Sequence, residues 1–161
     1  YSEGLFTPNT FEMFDSISST EPAPYKISEQ NQTFIESNLD LFPAETEDAK
    51  ETMSTLIQED LTYPMMSKTL SGFEGKLYRC SSALAGQVTQ NILFGRSITR
   101  IVSRDEDYNY YYILYDGVLP DVYDGTTITF VGLPVSSSGF ENVGGGTTNV
   151  IVLIGSYIAA I

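Results

Sequence analysis

Apolar positions along the chain change their period near Lys76. Before it they recur at helical spacing; after it they alternate. Ile27, Phe34, Ile35 and Leu39 fall on one side of a helix predicted over 26–42. Ser28 serves as its N-cap, Glu29 suits the first turn, and Pro43 stops it. A second helix is predicted over 45–61, where Ala49, Met53, Leu56, Ile57 and Leu61 trace a narrow apolar stripe. Glu45, Glu47 and Asp48 crowd its start, where the helix dipole favours negative charge, and read as solvated side chains rather than a calcium cluster. Tyr63-Pro64 ends this element, and Met65, Met66 and Leu70 are expected between helix and barrel. Residues 1–25, rich in Ser, Thr, Glu and Pro, read as an arm or linker, with Phe11, Phe14 and Ile17 spaced for a short helix or a docked segment.

Period two places strands near 76–89, 97–104, 109–115, 127–133 and 149–158. Gly86 lies inside the first, where a bulge would let one long strand serve two neighbours. Asp105-Glu106-Asp107, Asp116-Gly117 and Asp124-Gly125 mark turns. After the fourth strand come a Gly132-Leu133-Pro134 corner, a Ser-rich loop, and Gly144-Gly145-Gly146, which reads as conformational relief rather than a phosphate loop, having no following Lys and opening a strand. Five short strands suit a five-stranded Greek-key barrel of the OB type better than a large sandwich. The interval between the third and fourth strands is too short for the helix that such a barrel normally carries there. The helical material is therefore expected to plug or flank the barrel from the N-terminal side. The fold class is mainly β (α+β), divided as 1–25 arm, 26–70 helical segment and 71–161 barrel.

Charge narrows the partners. The net charge is −13, from 8 basic and 21 acidic residues. It is uneven, net −10 over 1–70 and −3 over 71–161. Such a field keeps a protein soluble and repels phosphate backbones, which argues against nucleic acid. With no histidine, Ser-His and Cys-His nucleophile pairs and imidazole metal sites are excluded. The single cysteine, Cys80, cannot form an intrachain disulfide and reads as a small buried strand residue, with Arg79 on the opposite face. No apolar run reaches the ~20 residues of a membrane helix. The chain begins at Tyr1, so an anchor lying upstream is expected to be its only link to a membrane. Asn31-Gln32-Thr33 matches a glycosylation sequon by chance, since it falls on a predicted helix.

The run Gly132-Leu133-Pro134 through Phe140-Glu141-Asn142-Val143-Gly144-Gly145-Gly146-Thr147, then Val152-Leu153-Ile154-Gly155-Ser156-Tyr157-Ile158, resembles the end of an OB-like domain of Gram-positive envelope proteins. Those are lipoproteins or single-span membrane proteins of unassigned function. The likeness covers about 70–161 and implies an extracytoplasmic, cell-envelope setting. It implies no catalytic residues and no cofactor, and the chain lacks the zinc-ribbon cysteines that some such proteins carry.

The candidate chemistry concentrates around Tyr108, Tyr110, Tyr111, Tyr112 and Tyr115. Alternation puts Tyr110, Tyr112 and Leu114 on one face, and Tyr111, Ile113 and Tyr115 on the other. Arg100 and Arg104 share one side of the preceding strand, with Ile98 and Val102 beside them. Aromatic faces beside guanidinium groups hold flat polar ligands. The expected ligand site is therefore Tyr110, Tyr112, Arg100 and Arg104, with Tyr78 from the first strand; structural packing of the tyrosines is the competing account. Asp105, Glu106, Asp107 and Asn109 lack EF-hand spacing and read as an acidic turn, so no metal is expected. The functional expectation is a non-catalytic binding module for a protein, peptide or glycan. A structural spacer is the alternative, and a carboxylate-based hydrolase the third.

Overall fold

The computed structural model describes residues 27–69, 72–93, 95–141, 144 and 147–161. The expected arm over 1–25, Leu70 and the last two glycines of the Gly144 run lie outside these. Among the described residues, three short helices come first: α1 (Glu29–Ser37), α2 (Glu47–Leu56) and α3 (Tyr63–Lys68). Five strands follow: β1 (Tyr78–Leu93), β2 (Arg96–Asp105), β3 (Tyr110–Asp116), β4 (Thr126–Glu141) and β5 (Thr147–Ala160).

Each helix starts at a hydroxyl N-cap. The side chains of Ser28, Thr46 and Thr62 accept from the backbone N–H groups of Asn31, Ala49 and Met65 respectively. The helices are shorter than their apolar stripes suggest. α1 stops at Ser37 because the chain turns into a Leu41–Ala44 bridge around the cis Phe42–Pro43 bond. α2 stops at Leu56 because Ile57 joins a parallel bridge to Leu77, with Gln58 N–H donating to the Leu77 carbonyl. Tyr63-Pro64 does not terminate an element. Pro64 sits in the first turn of α3, where a missing N–H costs nothing.

The strands close into a barrel in the order β1-β2-β3-β5-β4. β3 and β5 run parallel and every other pair is antiparallel. This is the mainly β, five-stranded OB-like architecture expected from the alternation. β1 serves two neighbours, with its register slipping at Gly86 on the β2 side and between Cys80 and Ala83 on the β4 side. β4 runs beyond its expected end. Slips at Val131/Gly132 and Pro134/Ser136 absorb the Gly-Leu-Pro corner, and pairing with β5 continues through the Ser-rich stretch to Glu141. Residues 117–125, between β3 and β4, carry no helix.

Two apolar layers result. Inside the barrel, Ile101, Tyr111, Ile113, Ile128, Phe130, Ile151 and Leu153 pack together, and Leu61 and Met66 from around α3 join them. α3 thus takes the plugging role that the β3–β4 link leaves open. Outside the barrel, Ile98, Leu114, Val131, Leu133, Val135, Val152 and Ile154 are covered by Ile27, Ile35, Leu41, Phe42, Ala49 and Met53. β5 is therefore buried on both faces, which is why residues 150–154 are apolar without alternation. Each fully buried Ile or Leu in these layers contributes about 1.5–3 kcal/mol. Asn31 ties α1 to the barrel: buried itself, it donates to the Pro134 carbonyl at 3.4 Å and accepts from Gly75 N–H at 3.1 Å. The sequon it belongs to is closed to modification.

Candidate functional site

The antiparallel register of β2 and β3 sets Arg100 opposite Leu114, Val102 opposite Tyr112 and Arg104 opposite Tyr110. Opposed residues point to the same side. Leu114 and Ile98 on that side belong to the outer layer, so this is the outer wall of the barrel. Arg100, Arg104, Tyr110 and Tyr112 are thus brought together on one face, each half-buried. The face is graded along its length. Ile98 and Leu114 are sealed beneath the helical layer, and Tyr112 packs against its margin. Arg104 and Tyr110 lie at the open end. There the Arg104 guanidinium stands 4.3 Å from the centroid of the Tyr108 ring.

Tyr108 was not among the expected site residues, yet it is 68% exposed and gives Arg104 its aromatic partner. It occupies the turn, not a strand, and its φ of 62° turns the chain left-handed. Strand parity therefore says nothing about where its ring goes. The cue in the sequence was the spacing Arg104 to Tyr108 across the acidic turn Asp105-Glu106-Asp107.

Tyr78 requires a correction. It does not join this face but points into the barrel, where it stacks on Tyr111 with centroids 5.7 Å apart. It lies two residues before Cys80 with no register slip between them, and so shares the inward side of that residue. Its hydroxyl lies 2.8 Å from that of Tyr111, which itself donates to Asp105 Oδ2 at 2.8 Å. Tyr111 has one proton to give, so Tyr78 is the donor between the two rings. Burial pushes the Tyr78 phenol up to about 12 and raises Tyr111 as well.

Asp105 anchors the turn. One carboxylate oxygen accepts from the backbone N–H of Asp107 and of Asn109; the other accepts from the Asn109 amide and Tyr111. Desolvation pushes its carboxyl upward, but these bonds outweigh it and hold the group below its ordinary value. Among the described residues, no group of three or more acidic or cysteine side chains is placed to hold a metal ion. Cys80 is buried, with its thiol pushed up to about 11 by burial. Arg79, on the other face, pairs with Glu59.

At the far end of the same two strands lies an open cleft of about 370 Å³, lined by Leu39, Asp40, Pro43, Glu45, Arg96 and Asp116 among others. Arg96 and Asp116 form an ion pair there. One wall of the cleft is fixed to β5: Ser156 Oγ donates to the Leu41 carbonyl at 2.5 Å, and Ala44 N–H donates to the Ser156 carbonyl at 2.8 Å.

No family model matches the chain, and neither does any curated protein or solved structure. The site must therefore be read from its own chemistry.

Proposed function

We propose that this chain is a non-catalytic binding module whose recognition surface is the open end of the outer β2–β3 face, formed by Arg104, Tyr108 and Tyr110 with Arg100 and Tyr112 behind. The observation that carries this is the Arg104 guanidinium seated over the exposed Tyr108 ring. A cation and two aromatic faces side by side favour a flat polar ligand, such as a sugar ring or an extended peptide. The acidic balance of the chain, net −13, disfavours an oligonucleotide on the same face. The setting we propose is the envelope of a Gram-positive bacterium. Its support is the resemblance carried by the Gly132-Leu133-Pro134 run and the apolar sequence of β5.

The test is co-sedimentation with purified Gram-positive sacculi, which present both sugar chains and stem peptides. The wild-type chain is expected to pellet with them, and the Arg104→Ala/Tyr108→Ala variant to lose at least about 5-fold in affinity, as expected when a cation–π anchor is removed. A single-stranded oligonucleotide at physiological salt is expected to show no gel shift. Equal pelleting of wild type and variant would remove this face from the function. Failure of both to pellet would favour a spacer role for the barrel.

A further inference from the structure

We infer that the free edge of β1, from Val88 to Ile92, pairs antiparallel with the same edge of a second copy of this chain. The argument begins with the ladder. β1 pairs with β4 only as far as Ala85, whereas its pairing with β2 continues to Leu93. Among the described residues, the last half of β1 has a strand on one side alone. Its first open position is closed by Asp124, whose carboxylate accepts from Val88 N–H at 2.8 Å. That bond shows that the Val88 N–H points away from β2. Alternation then turns the N–H and C=O groups of Gln90 and Ile92 the same way.

Exposed edges are normally guarded by charge, proline or cover. Among the described residues, this one is met only by Asp124, at its first position, and no charge or proline stands on Gln90 or Ile92. From Cys80 to Gly95 the chain carries no Asp, Glu, Lys, Arg or Pro, although its net charge is −13. Two copies can therefore meet along this edge without placing like charges side by side, which they could not do along the acidic helices. Ile92 is 74% exposed on the edge, an apolar side chain that the described residues leave uncovered.

The sequence of the edge fits itself. Centring the pair on Gln90 sets Gln90 against Gln90, Thr89 against Asn91, and Val88 against Ile92. The outward-pointing positions Val88, Gln90 and Ile92 then face one another, with the Val88 N–H kept on Asp124 and its carbonyl free to accept from Ile92 N–H of the other copy, so the hydrogen-bond phase agrees with the side-chain match. Amides pair with amides, a hydroxyl meets an amide, and Ile92 is covered by Val88 of the other copy. The contact is isologous and closes after two chains. It lies on β1 and is independent of the ligand face proposed on β2 and β3.

The test is a symmetric crosslink. In the antiparallel pair the two Gln90 Cα atoms would stand about 5.5 Å apart, inside the roughly 4.4–6.8 Å range that a disulfide spans. Gln90→Cys is expected to oxidise to a covalent dimer at least about 10-fold faster than Glu51→Cys, an exposed control on α2. Sedimentation of the wild-type chain at about 100 μM is expected to show dimer, and Ile92→Lys, which sets a charge on the edge, is expected to sediment as a folded monomer. Circular dichroism of each variant confirms the fold. A wild-type monomer at that concentration, or Gln90→Cys crosslinking no faster than Glu51→Cys, overturns the inference. So does a dimer undiminished by Ile92→Lys, which would place the interface elsewhere.

Discussion

Tyr111, wholly buried in the barrel, gives its phenolic proton to the carboxylate of Asp105 in the turn that precedes its own strand. The bond joins the interior layer to the β2–β3 turn, and through it the floor of the core helps to fix the turn that carries Tyr108. Tyr63 and Phe130 meet the Tyr111 ring edge-on at 5.3 and 5.2 Å, so the ring has little room to shift.

Removing the hydroxyl by Tyr111→Phe leaves Tyr78 without its acceptor and Asp105 short of one donor. The expected cost is about 1–3 kcal/mol in urea unfolding. Tyr78→Phe is expected to cost less, because Tyr111 keeps its bond to Asp105. The double variant should fall short of the sum of the two singles, since both sit in one hydrogen-bonded chain. Strict additivity would show that the hydroxyls do not act together.

Asp105 makes stability depend on acid. Its carboxyl is held below its ordinary value in the folded chain, so the native state favours the ionised form. The contribution is complete above the unfolded value of about 3.9 and fades as pH falls through the lower folded value. The stability difference between wild type and Asp105→Asn is expected to be largest at neutral pH and to shrink below about pH 4. A difference constant down to pH 2 in denaturant titrations would contradict this.

Cys80 is expected to be inert in the folded chain. Its thiol sits inside the barrel, pushed up to about 11, and its sulfur lies 3.5 Å from the Ser82 carbonyl. A thiol reagent at pH 8 should label the native protein at least about 100-fold more slowly than the unfolded protein. Labelling at the unfolded rate would place the sulfur in solvent.

Gly155 is expected to accept a methyl group only at a cost. A Cβ there would lie 3.2 Å from both Tyr115 and Ile158 and 3.4 Å from Ile113. Its cross-strand partner is Gly132, where a Cβ would lie 3.1 Å from the Ile154 carbonyl oxygen. Gly155→Ala should cost about 1–3 kcal/mol through overpacking and lower the thermal midpoint. Gly86→Ala, whose nearest neighbour would be 3.5 Å away, should cost less. Equal midpoints for the two variants would show that the interior near Gly155 yields.

The barrel was legible because alternation survives wherever one strand face is apolar and the other polar, as in Thr127, Ile128, Thr129 and Phe130. The same parity placed Arg100, Arg104, Tyr110 and Tyr112 together correctly. Tyr78 was misplaced although its parity with the buried Cys80 points it inward, and the left-handed Tyr108 lay outside any parity. α3 was missed because Pro64 was read as a stop, although proline is equally at home in a first turn. β4 outran its expected length because the bulges beside Pro134 are set by pairing with β5, a contact between segments distant in sequence. The Arg96–Asp116 pair has the same origin, since only the β2–β3 register brings those two residues within reach.

The hydrogen bond from Ser156 to the Leu41 carbonyl spans 115 residues of chain. It means that the ribosome makes the lid before it makes the wall the lid rests on. Ile35, Leu41 and Met53 emerge first, and much of their counterpart, Val152 and Ile154, follows only after β1 to β4 have been made. Until then the nascent helices carry an apolar stripe with nothing to cover, in the most acidic third of the molecule. A net charge of −10 over 1–70 sets like charge on every unfinished chain, and like charges repel, in the interval before β5 can cover the stripe.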